Sequence, residues 1–83
     1  MSAWSRTDKA LSRTFTFATF PDAVAFATRL GFYAESVDHH PDILISYKKV
    51  AVTWSTHDTG GVTDKDVAGA EQSDVVAKGM GGS

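Results

Sequence analysis

The sequence contains no cysteine among its 83 residues. Without a thiol, neither a disulfide framework nor a thiolate metal site can form, so neither adds to the stability of the fold. A chain this short is also close to the lower size limit for a self-sufficient apolar core. We therefore expect self-association to supplement the core.

Basic charge and long apolar runs are also scarce. The formal net charge is −2 at pH 7, and Lys48-Lys49 is the only adjacent basic pair. Because proteins that bind the phosphate backbone usually carry a basic face, we expect no direct nucleic-acid partner. The apolar runs are only a few residues long, and residues 1–6 lack an apolar signal core. We therefore expect no membrane association and a cytoplasmic location.

The three histidines of the chain fall in two short segments. Residues 35–41 contain the adjacent His39 and His40, and residues 55–58 contain His57. Imidazole is the side chain that both donates and accepts a proton near neutral pH without a pKa shift. The grouping indicates proton-transfer chemistry, although a His-His pair before a proline is also typical of an ordinary polar loop.

The first third of the chain predicts two short strands, at residues 3–6 and 11–17. In the second, apolar and aromatic residues alternate with serine and threonine, the period of a half-buried strand. Trp4 is compatible with two roles. It is either a core residue at a sheet edge or an aromatic wall for a planar ligand.

A helix is predicted next. Thr19 is a suitable N-cap, with Asp22 three residues later and a proline in the first turn. Apolar residues at helical spacing continue to Val37. Pro41 ends the pattern and favours an extended conformation for His40, so the histidine pair lies where the helix meets the next strand.

A second hairpin is predicted from residues 43–47 and 50–56 around Lys48-Lys49. If Tyr47 pairs with Val50, one face of the hairpin is apolar and contains Ile43, Ile45, Tyr47, Val50, Val52 and Trp54. The same pairing returns the end of the second strand to the start of the first. We therefore expect His57 to lie close to His39 and His40. The three histidines would then form one candidate site.

A final helix is predicted from a capping box in which Thr63 is the N-cap and Asp66 follows three residues later. Its apolar stripe is weak and consists of small residues, namely Val67, Ala70, Val75 and Val76. Residues 79–83 are expected to be a flexible tail that is poor in anchors. The order is strand, strand, helix, strand, strand, helix in a single domain spanning residues 1–83.

Other chemistries fit the sequence less well. Adjacent residues of an extended chain point to opposite sides, so His39 and His40 are poorly placed to share a metal ion. Ser55 lies in no nucleophile elbow, and Gly60-Gly61 is too short to cradle a phosphate. Acid–base chemistry by imidazole is therefore the reaction type that the sequence favours.

Carboxylates near the histidine pair are candidates to orient it. Glu35 and Asp38 are close enough in sequence to orient the imidazoles or to raise their basicity. A solvated helix end is the alternative for Glu35.

The spaced residues resemble one family. Glu35-x-x-Asp38-His39-His40-Pro41, then Tyr47, Ser55-Thr56-His57 and Gly61-Val62-Thr63-x-x-Asp66 are similar to the pterin-4a-carbinolamine dehydratases. Trp4 and Phe15-Thr16-Phe17 also match positions of that family. The resemblance extends from Trp4 to Lys78. It implies an α+β, two-layer β-β-α-β-β-α domain, in which a four-stranded antiparallel sheet carries two helices on one face.

The resemblance also implies a hydro-lyase activity, without a cofactor or metal. The substrate would be a small pterin, 4a-hydroxytetrahydropterin, which loses water to give quinonoid dihydropterin during tetrahydrobiopterin recycling. That implies a functional link to an aromatic amino-acid hydroxylase. Family members form homodimers and homotetramers. The alternatives are a non-catalytic interaction protein that acts as a transcription-factor dimerisation cofactor, and a pterin carrier.

Site residues follow from the same resemblance. His40 and His57 are the expected acid and base, while His39 binds and orients the pterin or shares the proton transfer. The expected substrate-binding residues are Asp38, Ser55, Thr56, Asp58 and Trp4, and the expected supporting residues are Glu35 and Pro41. Asp58 replaces a glutamate found in some members, which shortens one contact.

Overall fold

The fold places two helices against one antiparallel sheet. The computed structural model describes residues 3–56 and 60–83. The elements are β1 (Ser5–Arg6), β2 (Ala10–Thr16), α1 (Phe20–Ser36), β3 (Asp42–Ser46), β4 (Lys49–Ser55) and α2 (Asp64–Gly79). The four strands form one sheet in the order β1-β2-β4-β3, and neighbouring strands are antiparallel. The predicted α+β fold with this element order is confirmed.

The core lies between the sheet and the helices. Alternate residues of β4 are buried, as are Leu11 and Phe15 of β2, and Leu11 lies opposite Trp54 while Phe15 lies opposite Val50. The period of two predicted for these strands therefore marks the side that the helices cover. Helix α1 contributes its buried stripe to the same core, namely Ala23, Phe26, Leu30 and Ala34.

The β3–β4 hairpin differs in register from the prediction. Ile45 lies opposite Val50, and the turn consists of Tyr47 and Lys48, with Tyr47 at a φ of 53°. The predicted pairing of Tyr47 with Val50 is therefore wrong, and Tyr47 is exposed. The predicted apolar face otherwise holds, because a shift of two residues along the partner strand keeps each side chain on its own side of the sheet.

Helix α2 covers the sheet with small side chains. Its buried residues are Asp66, Gly69, Ala70, Ser73 and Ala77. Val75, which the sequence pattern placed on the apolar stripe, is instead 63% exposed. Small buried residues let the helix backbone approach the sheet closely.

The chain end is anchored to the sheet. Ser83 exchanges two backbone hydrogen bonds with Thr16, of 2.9 and 3.0 Å, and the Gly82 amide donates to the Ala77 carbonyl. The expectation that residues 79–83 are poor in anchors is therefore corrected. Within the described ranges, neither helix combines the length and apolar character that crossing a membrane requires.

Candidate active site

His39 points inward because the chain turns sharply after α1. Asp38 adopts a left-handed conformation with φ of 51°, which aspartate tolerates better than most residues. The His39 amide then donates to the Ala34 carbonyl at 3.1 Å. The His39 ring stacks on Trp54 with centroids 5.5 Å apart, and its side chain is only 12% exposed.

A buried carboxylate meets this imidazole. His39 Nε2 lies 2.6 Å from Asp66 Oδ1, and the Asp66 side chain is fully buried. The other oxygen, Oδ2, accepts hydrogen bonds from Thr56 Oγ1 at 2.8 Å and from the Thr63 amide at 2.9 Å. Both carboxylate oxygens are thus engaged, as a buried charge requires.

These hydrogen bonds keep Asp66 ionised. Burial alone raises the pKa of the Asp66 carboxyl, because it disfavours the charged form. The Thr63 amide, the side chains of His39 and Thr56, and the attraction of a protonated His39 act in the opposite direction. Together they hold the pKa of Asp66 below its ordinary value of 3.8.

An ionised Asp66 determines which nitrogen of His39 is available. A carboxylate only accepts hydrogen bonds, so Nε2 carries the proton that Asp66 accepts. No residue in the described part of the chain bonds to His39 Nδ1, and no buried side-chain nitrogen there lacks a partner. Nδ1 is therefore reached by solvent and is free to accept a proton from a bound molecule.

The ring beneath His39 is also held in place. Trp54 Nε1 donates to Ser73 Oγ at 3.0 Å, and Ser73 Oγ donates to the Gly69 carbonyl at 2.7 Å. A Cβ atom on Gly69 would lie only 2.5 Å from the Trp54 ring. Glycine at this position allows the close approach of α2 that fixes Trp54, and through Trp54 the plane of His39.

His40 points to a different partner. Its Nε2 lies 2.8 Å from Glu35 Oε1, and the side chains of His40 and Glu35 are 56% and 81% exposed. Glu35 therefore contacts a histidine as expected, although the contact is open to water. The two adjacent imidazoles diverge, one towards α2 and one back onto α1.

Two predicted substrate-binding residues line a cavity. Ser55 pairs with Ala10 at the end of β4, and Thr56 follows it. Both line a cavity of about 300 Å³ together with Lys9, Ala10 and Gly60. Pro41 is half-buried just before β3, and Asp38 is exposed.

His57 and Asp58 lie outside the residues that the structure describes. The convergence of His57 with the histidine pair and the substrate-binding role of Asp58 therefore stay predictions. Across residues 3–56 and 60–83, no three potential metal ligands lie close enough to hold an ion. A site that includes His57 is not tested by that observation.

Trp4 lies in the core. Its ring packs edge-on against Phe15 with centroids 6.0 Å apart, and its indole N–H is shared by the two Asp74 carboxylate oxygens at 3.0 and 3.1 Å. Of the two roles left open by the sequence, the structure shows the core one. The partners found for His39 and His40 within the described ranges include neither Trp4 nor Asp38.

The sequence pattern missed the partners of His39. The sequence pattern predicts Asp66 as a helix-capping residue, and it does accept the Thr63 amide. A capping carboxylate has a second oxygen, however, and that oxygen binds His39. The available signal was its place in the motif that ends Thr63-x-x-Asp66. Nothing in the local pattern indicated Trp54, because a stacking partner 15 positions away depends on tertiary packing.

Most of the chain matches one known protein family. Residues 1–76 match the family described as pterin 4 alpha carbinolamine dehydratase. The chain belongs to this family. A relative from Chloroflexus aurantiacus bears the name pterin-4-alpha-carbinolamine dehydratase. It is 49% identical over 65 residues, which cover 78% of this chain and 70% of that protein. Another relative, from Afipia carboxidovorans, is 46% identical over 83 residues, which cover 98% of this chain and 83% of that protein.

The fold is similar to those of two solved structures. A transcriptional coactivator/pterin dehydratase from Brucella melitensis superposes with a TM-score of 0.87 at 34% identity, covering 93% of this chain and 84% of that one. A pterin dehydratase-like protein described as a RuBisCO assembly factor of the alpha-carboxysome has a TM-score of 0.73 at 21% identity, covering 89% and 86%. The second likeness shows the fold alone.

Proposed function

We propose that this protein dehydrates 4a-hydroxytetrahydropterin to quinonoid dihydropterin by proton transfer through its histidines. Family membership supports the reaction class. The observation that carries the mechanism is the hydrogen bond between His39 and the buried, ionised Asp66. The substrate would be the product of a pterin-dependent aromatic amino-acid hydroxylase.

In this mechanism His39 accepts a ring N–H proton of the pterin at Nδ1. The Nε2–H of His39 already donates to the Asp66 carboxylate, so Asp66 orients the ring and stabilises the positive charge that His39 gains. Asp66 is a positioning residue, because it acts through His39. Fixing the ring in advance also reduces the entropy lost when the substrate is aligned.

A second imidazole supplies a proton to the departing oxygen. His40 or His57, in protonated form, donates to the C4a hydroxyl as the C4a–O bond breaks, and the leaving group departs as water. One proton leaves the pterin ring and one reaches the hydroxyl, so the protein regains its starting state by passing a proton through solvent. Each such group typically contributes about a hundredfold to ten-thousandfold in rate.

The test is the decay of enzymatically generated 4a-carbinolamine, followed by ultraviolet absorbance. The protein should accelerate the decay over buffer, and the His39→Ala variant should lose most of that acceleration. Lys78→Gln, in the last turn of α2, is the matched surface control and should keep it. If the unmodified protein gave no acceleration, the proposal would be overturned.

Self-association is part of the proposal. Three large apolar residues spaced along α1 are exposed, Phe20 at 48%, Val24 at 38% and Phe32 at 75%. Strand β3 forms one edge of the sheet and exposes Leu44 at 65%. An apolar helix face and an open edge in so small a domain favour a homo-oligomer.

Light scattering at micromolar concentration measures that association. We expect a dimer or tetramer, and we expect Phe32→Glu to shift it to a smaller species. Val75→Glu is the matched control, since Val75 is similarly exposed but lies on α2. A strictly monomeric unmodified protein would contradict the proposal.

A non-catalytic role is the second candidate. The name of the Brucella melitensis protein combines coactivator and dehydratase, and the exposed face of α1 is suited to a protein partner. A His39→Ala variant that lost dehydration but kept the full biological effect would favour this role. A pterin carrier would instead bind pterin tightly without accelerating its dehydration.

A further inference from the structure

Ser73 is a buried polar residue that the proposed mechanism does not use. Among the described residues, the fully buried polar or charged side chains are those of Asp66 and Ser73. Asp66 binds His39, whereas Ser73 lies further along α2 and does not contact either imidazole. Its hydroxyl donates to the Gly69 carbonyl at 2.7 Å. Such a bond within a helix adds little stability, so it does not by itself explain a serine at a buried position.

The hydrogen-bond chain through Ser73 has one possible direction. A carbonyl oxygen only accepts, and an indole N–H only donates. The Ser73 hydroxyl proton is therefore directed to Gly69, and Ser73 Oγ accepts the Trp54 N–H at 3.0 Å. A buried indole usually finds such an acceptor. Turning the indole over about its Cβ–Cγ bond would take the N–H away from Ser73, so the hydrogen bond selects one orientation of the ring.

Other contacts restrain the same indole. The Tyr33 ring packs edge-on against Trp54, with centroids 6.1 Å apart and an interplanar angle of 76°. The Gly69 backbone lies so close that an added Cβ would be 2.5 Å from the ring, and Trp54 is fully buried. His39 stacks on this restrained indole at an interplanar angle of 24°.

The stack restricts a rotation of His39 that the hydrogen bond to Asp66 leaves open. In an imidazole side chain, Nε2 lies close to the axis of the Cβ–Cγ bond, so rotation about that bond moves Nε2 little. Nδ1 lies further from the axis, and its lone pair lies in the ring plane. The bond to Asp66 therefore fixes the position of Nε2, whereas the plane of Trp54 sets the direction of the Nδ1 lone pair.

We propose that Ser73 is a positioning residue for the dehydration, because it fixes the indole that sets the direction of His39 Nδ1. The inference rests on the proposed function, which assigns the acceptance of the pterin proton to that nitrogen. Ser73 is fully buried and acts through Trp54, so it contributes no contact to the substrate. Misdirecting a proton acceptor slows the chemical step and leaves substrate binding nearly unchanged.

Ser73→Ala removes the acceptor of the indole N–H. We expect kcat to fall about threefold to tenfold with little change in KM, since the ring tilts but keeps its bond to Asp66. The NMR signals of the His39 ring protons should also shift in the substrate-free protein, because the ring current of Trp54 would then act on them from a different angle.

Thr28→Ala is the matched control. Thr28 Oγ1 likewise donates to the carbonyl four residues earlier in its helix, that of Val24 at 3.0 Å, but Thr28 is exposed on α1. This variant loses a helical hydroxyl of the same kind without affecting Trp54. It should keep the kcat and the His39 ring signals of the unmodified protein.

Trp54→Phe tests the hydrogen bond from its other end, and it also serves if Ser73→Ala does not fold with an unpaired N–H in its core. Phenylalanine keeps an aromatic face but has no N–H, so Ser73 has no ring donor left to fix. Trp54→Phe should lower kcat by itself. Adding Ser73→Ala to Trp54→Phe should cause no further fall.

A Ser73→Ala variant with unchanged kcat, or with unchanged His39 ring signals, would overturn the inference. A further fall in kcat when Ser73→Ala is added to Trp54→Phe would also overturn it. If the unmodified protein did not accelerate carbinolamine decay, the proposed function would fail. The NMR comparison needs no substrate, so it would still show whether Ser73 orients the His39 ring.

Discussion

His39 Nε2 and Asp66 Oδ1 lie 2.6 Å apart although 27 residues separate them in the chain. The hydrogen bond joins the turn after α1 to the first turn of α2, across the face of Trp54. It connects a group suited to proton transfer to a carboxylate that both starts a helix and stays ionised. Folding and the proposed chemistry therefore depend on the same buried charge.

Replacing Asp66 by asparagine tests the orienting role. The amide oxygen of the new side chain would still accept the Thr63 amide, but its NH₂ group cannot accept the His39 proton, so the favoured tautomer of His39 changes. We expect Asp66→Asn to lower kcat for carbinolamine dehydration about tenfold to a hundredfold with little change in KM. Asp64→Asn in the same helical turn is exposed and should behave as the unmodified protein. An unchanged kcat in Asp66→Asn would contradict the role.

The lowered pKa of Asp66 predicts how stability depends on pH. The folded protein holds this carboxyl in its ionised form more firmly than the unfolded chain does. The stabilisation is therefore fully present above pH 3.8, the ordinary value, and is lost as the pH falls through the lower pKa of the folded state. Urea unfolding from neutral pH down to about pH 2.5 measures it. Asp66→Asn should remove this part of the acid dependence, and Asp64→Asn should keep it. If the free energy of unfolding fell equally steeply with pH in both variants, Asp66 would not be its source.

Gly69 is predicted to be intolerant of a side chain. The added Cβ of Gly69→Ala would displace the Trp54 ring, so we expect a loss of about 1–3 kcal/mol in the free energy of unfolding. Gly31→Ala in α1 is the matched control. Its Cβ would meet nothing within 4 Å, so we expect a gain of about 0.5–1 kcal/mol. Denaturant titration compares the two, and a Gly69→Ala variant as stable as Gly31→Ala would refute the packing argument.

Glu35 and His40 should differ in importance. Their contact is exposed to water, and exposed ion pairs contribute little. We expect Glu35→Gln to lower the dehydration rate less than about threefold, while His40→Ala, which removes an acid–base group, lowers it about a hundredfold or more. Initial dehydration rates of the two variants, at low and at high salt, measure these effects. A large effect of Glu35→Gln would show that the contact orients His40 as strongly as Asp66 orients His39.

Local sequence was sufficient where the physical cause is local. The alternation in β2, the Thr19 cap of α1 and the period of its apolar stripe each depend on neighbouring residues, and each predicts the observed element. The hairpin turn was placed one residue late because Tyr47 adopts a left-handed conformation that favours glycine or asparagine. The register of the hairpin therefore could not be read from its turn residues.

The sequence by itself determined the order of the elements, the buried side of β2 and β4 and the divergence of two adjacent imidazoles. These follow from backbone geometry and side-chain period alone. Tertiary structure decided which imidazole is buried and what orients it, because the Asp66 carboxylate and the Trp54 ring reach His39 through the packing of α2 on the sheet. Contacts between residues so far apart in the chain depend on how the elements dock, which no local pattern encodes.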